Sequence, residues 1–104
     1  MNDINQKMTI LLIGGTGVIS SEIMNLCIIL GYKVFVLNRG KRANVFNDKA
    51  LHIEADIRYT GLVIEKTKGM HFDVVIDFLS FNQRQLNDTF NIFQSKCNQY
   101  IFIS

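Results

Sequence analysis

Short, almost continuously apolar runs alternate along this chain with longer segments whose apolar residues recur at helical spacing. Met8 to Ile13 (MTILLI), Lys33 to Leu37 (KVFVL), Leu51 to Ala55, Asp73 to Phe78 (DVVIDF) and Gln99 to Ser104 (QYIFIS) read as five strands. They lack the strict alternation of a half-exposed strand, which predicts burial on both faces. Val18 to Leu30 reads as a helix with Ile19, Ile23, Leu26, Cys27 and Leu30 on its inward stripe, and Gly31 supplies the residue past its end. Thr60 is the expected N-cap of a short helix that stops at Gly69. Asn82 to Gln85 (NQRQ) has the form of a capping box, and behind it Leu86, Phe90, Phe93 and Cys97 fall at helical spacing as a second inward stripe.

Alternating strands and helices predict parallel strands joined by right-handed crossovers. The expected fold is α/β: a doubly wound parallel sheet of strand order 3-2-1-4-5, with a ligand crevice at the carboxyl ends of the first and fourth strands. The polar residues 1–7 are expected to form a flexible tail, and residues 8–104 a single domain that stops after its fifth strand.

Composition narrows the class further. A chain of 104 residues buries roughly 65% of its unfolded surface. Hydrophobic residues make up 48% and charged residues 19%, as in an ordinary globular domain rather than a disordered one. The net charge of +2 is too small to argue for nucleic acid or an acidic membrane surface. No secretory signal is visible, and no apolar run is long enough to span a bilayer, so a cytoplasmic protein is expected. Cys27 and Cys97 lie far apart in runs that both read as helix, which favours reduced packing residues over a disulfide. His52 and His71 have no ligand-like spacing to either cysteine, so no metal site is expected.

The chemistry concentrates in LLIGGTGVISSEI, residues 11 to 23. This glycine turn follows a strand and opens a helix, the context in which such turns cradle phosphates. Gly14 permits the tight turn, and Gly17 lets backbone approach a pyrophosphate at a helix N-terminus, where free N–H groups favour anions. The competing reading is a structural corner only. Ser20 stands where the usual fingerprint has a third glycine, and a small serine there should still let the helix pack on the strand.

IGGTGVIS resembles the GGTGFIG signature of the extended short-chain dehydrogenase/reductase superfamily, the NAD-dependent epimerase/dehydratase group. NRG after the second strand, ADIR after the third, DVVIDF in the fourth and QYIFIS in the fifth resemble blocks of that family in the same order. The resemblance implies a Rossmann-type fold and binding of NAD or NADP. Gly14, Thr16, Gly17, Val18 and Ile19 would then be cofactor-binding, with Gly17 at the pyrophosphate. Asp56 would meet the adenine amino group with Ile57 beside it, and Phe78, Leu79 and Ser80 would border the riboses. Asp77, at the same strand end, is expected to be hydrogen-bonded into the loop rather than to contact ligand.

The end of the second strand bears on the choice of cofactor. NAD readers place Asp or Glu there for the ribose 2′-hydroxyl. Here Asn38 is followed by Arg39, Lys41 and Arg42. A carboxylate would repel a 2′-phosphate, whereas this basic cluster attracts one, and Arg39 offers a fork that binds two phosphate oxygens. NADP is therefore the expected cofactor, with NAD second.

The family's catalytic groups follow the fifth strand: a Ser or Thr, then a Tyr-x-x-x-Lys pair whose lysine tunes the tyrosine for proton transfer. Tyr32, Tyr59 and Tyr100 are followed four residues later by Val36, Val63 and Ser104. No catalytic residue is assigned. The expected function is that of a partial NAD(P)-binding domain of an epimerase/dehydratase-like oxidoreductase, inactive alone. The alternative is a non-catalytic nucleotide-sensing or interaction module on the same fold. An uncovered fifth strand would also invite self-association.

Overall fold

The computed structural model describes residues 7–14, 17–40, 47–80 and 82–103. Five strands form one parallel sheet: β1 (Thr9–Ile13), β2 (Lys33–Asn38), β3 (Leu51–Glu54), β4 (Phe72–Asp77) and β5 (Cys97–Phe102). Among the described residues three helices lie in the connections: α1 (Val18–Ile29), α2 (Thr60–Lys66) and α3 (Gln83–Phe93). The sheet order is β3-β2-β1-β4-β5, as the strand and helix alternation predicts.

The two faces of the sheet carry separate cores. Even-numbered residues of β1 and β2 (Ile10, Leu12, Val34, Val36) pack with Met24 of α1. Leu11, Ile13 and Leu37 point the other way, toward Val63 of α2 and Ile92 and Phe93 of α3. Phe72 joins that second core, its ring edge-on to Phe35 at 5.7 Å and to Phe93 at 6.3 Å between centroids. Such offset aromatic contacts add specificity to burial that is already favourable.

Several local expectations are corrected. The inward residues of α1 are Ser20 and Met24, both buried, with Ile23, Cys27 and Ile28 partly so. Ile19, Leu26 and Leu30 are 64%, 56% and 53% exposed. The helix is apolar on nearly every side, so periodicity offers two stripes, and the close approach of Ser20 to the glycine turn selects the other one. Thr60 is the first helical residue of α2 rather than its cap; Tyr59 precedes it without a side-chain cap bond. The helix ends at Lys66, where the Thr67 hydroxyl donates back to the Val63 carbonyl at 2.8 Å, and Gly69 (φ +77°) turns the chain after it. In α3 the Asn82 side chain accepts the Gln85 N–H at 2.9 Å, as the capping pattern predicts. Its buried residues are Thr89, Ile92 and Phe93, while Phe90 is 41% exposed and meets the Tyr100 ring edge-on. Cys97 opens β5 instead of closing the helix. Both thiols are free and belong to cores on opposite faces of the sheet, so they cannot meet.

Register brings the functional candidates to one edge. Ile13 pairs with Leu37 on one side and with Asp77 on the other, and Asn38 pairs with Glu54. Backbone bonds then tie the residues just past these ends: Gly14 N–H to Leu37 O, Ala55 N–H to Asn38 O, and Phe78 N–H to Ile13 O, each 2.9 to 3.0 Å. Because crossovers leave β1 in one direction and reach β4 from the other, a crevice opens above these carboxyl ends.

Candidate functional site

Gly14 stands at the floor of this crevice with φ +111°, a conformation that side-chain-bearing residues rarely adopt. A Cβ at Gly14 would lie 3.0 Å from Leu79 Cγ and 3.4 Å from Phe78 Cβ. The glycine therefore serves both the turn and the close approach of the β4 loop. Gly17 differs. Its backbone is ordinary (φ −80°, ψ 173°), and among the described residues a Cβ would meet only Ser20 Oγ, at 3.6 Å. Gly17 caps α1 without a side-chain bond, and no acidic residue stands in the first helical turn. The leading amides of α1 are thus left to other acceptors, as at helix starts that hold anions. Ser20 is buried, and its hydroxyl donates to Gly17 O at 3.1 Å, so serine fits where a glycine was expected.

Val18 and Ile19 are exposed and, with Gly14, Gly17, Phe78 and Leu79, line a cavity of about 470 Å³ beside the turn. Leu79 and Gly14 also border a larger cleft of about 990 Å³, which runs past Asn38, Arg39, Asp56 and Ile57 to Ser80 and the start of α3. The sequence candidates from four separate strand ends therefore converge on two adjoining hollows. Thr16 and Lys41 lie outside the described residues.

Asn38 is 7% exposed. Its Oδ1 accepts the Gly40 N–H at 3.0 Å and lies 2.8 Å from His52 Nε2. Its amide nitrogen is buried and has no hydrogen-bond partner among the described residues. Such an orphan donor costs about 1–3 kcal/mol. Arg39, next in the chain, is exposed at the cleft.

Asp56 is held from its own loop. Its carboxylate accepts the Arg58 backbone N–H at 2.9 Å and forms a two-pronged ion pair with the Arg58 guanidinium, at 2.7 and 3.0 Å. The Arg58 side-chain and backbone bonds, with a smaller contribution from the Arg39 charge, bring the Asp56 carboxyl down to about 2. Asp56 faces the cleft as a fixed anion, and Ile57 packs partly into the core behind it.

Asp77 is fully buried and does what was expected of it. Oδ1 accepts the N–H groups of Leu79 and Ser80 at 2.9 and 3.0 Å. Oδ2 accepts the hydroxyls of Ser80 and Tyr100, each at 2.5 Å. One carboxylate thus shapes the loop that presses Leu79 onto Gly14. Burial, and then the Asp77 bond and charge, push the Tyr100 phenol well above the usual tyrosine range, so it remains a donor.

Sequence reading passed over His52, Arg58 and Tyr100 as site residues. Arg58 lies two residues from Asp56 and was open to discovery by spacing. His52 and Tyr100 depend on strand register, which no local pattern reveals. No cluster of His, Cys, Asp and Glu suited to a metal occurs among the described residues. No helix among them is long and apolar enough to cross a membrane.

Neither a protein-family model nor a curated sequence relative matches the chain. Solved structures do. The Bordetella bronchiseptica enzyme WbmG in complex with NAD matches with a TM-score of 0.77 at 14% identity, over 98% of this chain and 39% of that one. A UDP-glucose 4-epimerase of Thermotoga maritima, with UDP-glucose, matches at 0.74 and 22% identity, over 91% of this chain and 37% of that one. MycE, a methyltransferase of mycinamycin biosynthesis in complex with Mg and SAH, matches at 0.74 and 18%, over 94% and 27%. The chain has a Rossmann-like fold. It spans less than half the length of each of these proteins, and at these identities the likeness establishes the fold alone.

Proposed function

We propose that this chain is the dinucleotide-binding part of an oxidoreductase or epimerase of the extended short-chain dehydrogenase/reductase type, with NADP preferred over NAD. The carrying observation is the convergence of Gly14 and Gly17, Asn38 and Arg39, Asp56 and Ile57, and Leu79 and Ser80 on adjoining hollows at the strand ends. The family resemblance implies separate parts of the ligand for these groups: the pyrophosphate, the adenosine 2′ position, the adenine and the riboses.

The residues fit such a ligand on their own chemistry. Among the described residues nothing gives Gly17 a steric or conformational need to be glycine, which supports backbone access to an anion as its reason. The orphan Asn38 Nδ2 and the exposed Arg39 offer donors where a 2′-phosphate would lie, and no carboxylate stands at the end of β2 to repel it. Asp56, held ionised, is an acceptor for an exocyclic amine. A bound nicotinamide cofactor would supply hydride transfer. The chain's own groups bind and orient it, and no Tyr-x-x-x-Lys pair is present for proton transfer. One of the similar structures, WbmG, is in complex with NAD, which supports a dinucleotide ligand.

Calorimetry with NADP and NAD tests it. NADP binding tighter than NAD, without oxidation or epimerisation by the isolated chain, is the expected result. Binding of neither at millimolar concentration would transfer the assignment to the interaction-module reading.

A further inference from the structure

The pairing of β2 with β3 sets His52 opposite Val36, so it shares a sheet face with Asn38, one side-chain repeat away. His52 Nε2 reaches Asn38 Oδ1 at 2.8 Å, and the same oxygen accepts the Gly40 N–H. A backbone N–H can only donate, so this second contact fixes which end of the amide is oxygen. His52 must therefore carry its proton on Nε2 and donate it. With both lone pairs of Oδ1 engaged, the amide cannot turn without stranding a donor. Nδ2 is left buried and, among the described residues, unpartnered, in a residue that lines the cleft beside Arg39.

We propose that His52 is a positioning residue: by holding Oδ1 it reserves Asn38 Nδ2 as a donor to an anionic ligand oxygen, selecting a 2′-phosphorylated adenosine over one with a free 2′-hydroxyl. The inference rests on the dinucleotide reading above. A phosphate presents only acceptors, and Asn38 Nδ2 and Arg39 present only donors. A 2′-hydroxyl must also place its own proton, and Asn38 Oδ1 is already occupied twice. His52 lies inside β3, ahead of the ADIR block, and meets Asn38 through strand register rather than through sequence spacing.

The test is calorimetry with NADP and NAD on the wild-type chain, His52→Phe and His52→Gln, with circular dichroism as the folding control. His52→Phe keeps a ring but removes the donor, and it should weaken NADP about five- to tenfold while moving NAD less than about twofold. His52→Gln restores an N–H donor and should recover most of that loss. Equal weakening of both cofactors, or no change in either, in a chain whose wild type binds NADP, would overturn the positioning role alone. A wild type that binds neither cofactor would remove the dinucleotide reading and this role with it. Should His52→Phe not fold, two-bond proton–nitrogen spectra of the wild type decide. The Nε2–H tautomer is expected, with the Asn38 side-chain amide shifting on NADP and not on NAD. An Nδ1–H tautomer, or an amide indifferent to NADP, would refute it.

Discussion

Leu79 lies so close over Gly14 that a methyl group on the glycine would sit 3.0 Å from Leu79 Cγ. The contact joins the first strand's turn to the fourth strand's loop, and the loop owes its shape to Asp77. Gly14 and Gly17 of the turn have different reasons for being glycine.

Substitution separates them. Gly14→Ala meets both a left-handed backbone and the Leu79 contact, and should destabilise the fold by about 1–3 kcal/mol, read as a lowered denaturation midpoint. Gly17→Ala meets neither and should leave stability within about 1 kcal/mol. It should nonetheless weaken dinucleotide binding in calorimetry, because its added methyl occupies the approach to the first turn of α1. A Gly17→Ala chain that binds as well as wild type would place the anion elsewhere.

This difference marks what the sequence can convey. Strand order, the glycine turn and the Asn82 cap follow from short-range pattern and chain connectivity, and all were readable. The inward face of α1 was not, since Ile19, Leu26 and Leu30 match the helical period as well as Met24 and Cys27 do. The partners of Asn38 and Asp77 come from β3 and β5, and those contacts exist only once the strands are in register. What was legible in the site is its list of strand-end residues. What was not is the set of groups that hold them.

Tyr100 gives a pH dependence of definite sign. Its folded-state pKa lies above the unfolded value of about 10 because burial and Asp77 favour the neutral phenol. Between those two values the native state binds more protons than the unfolded one, so stability is complete below about pH 10 and falls as pH rises beyond it. Tyr100→Phe should remove that part of the alkaline slope. It should also cost about 1.5–3 kcal/mol at neutral pH, for a bond to a charged group. Denaturant titrations at pH 7 and across the alkaline limb read both effects.

Asp56 has the opposite sign. Arg58 holds its carboxyl down to about 2, below the ordinary 3.8, so the stabilising pair is present above about pH 4 and is lost as pH falls toward 2. Arg58 is 58% exposed, so the contribution to stability should be small and shrink with added salt. Carbon-detected titration of the Asp56 carboxyl should give a midpoint near 2 in the wild type. Arg58→Ala should return it to the ordinary aspartate range.

Arg39 is the residue on which the cofactor preference turns most directly. Removing a charge-assisted contact to phosphate costs about 1.5–3 kcal/mol, so Arg39→Ala should weaken NADP roughly 10- to 100-fold. NAD, which lacks the 2′-phosphate, should change little, and the wild-type NADP affinity should decline with salt more steeply than that of the variant. Equal losses for both cofactors would assign Arg39 to the shared part of the ligand instead.

The outer edge of β5 carries the last prediction. Among the described residues β5 pairs only with β4, and the Ile103 N–H turns inward to Asp77 O at 3.0 Å. Strand alternation then turns the N–H groups of Asn98, Tyr100 and Phe102 outward, away from β4. Phe102 and Ile103 are also 37% and 36% exposed. An unpaired edge with apolar neighbours is a template for another strand, so the isolated chain should associate with itself in light scattering. Phe102→Pro removes an outward donor while sparing the inward ladder, and should reduce the associated fraction without lowering the denaturation midpoint by more than about 1 kcal/mol. A wild-type chain that stays monomeric at all concentrations would show the edge to be inert. An associated fraction unchanged by Phe102→Pro would move the contact to the exposed apolar side of α1, where Val18, Ile19 and Ile29 lie.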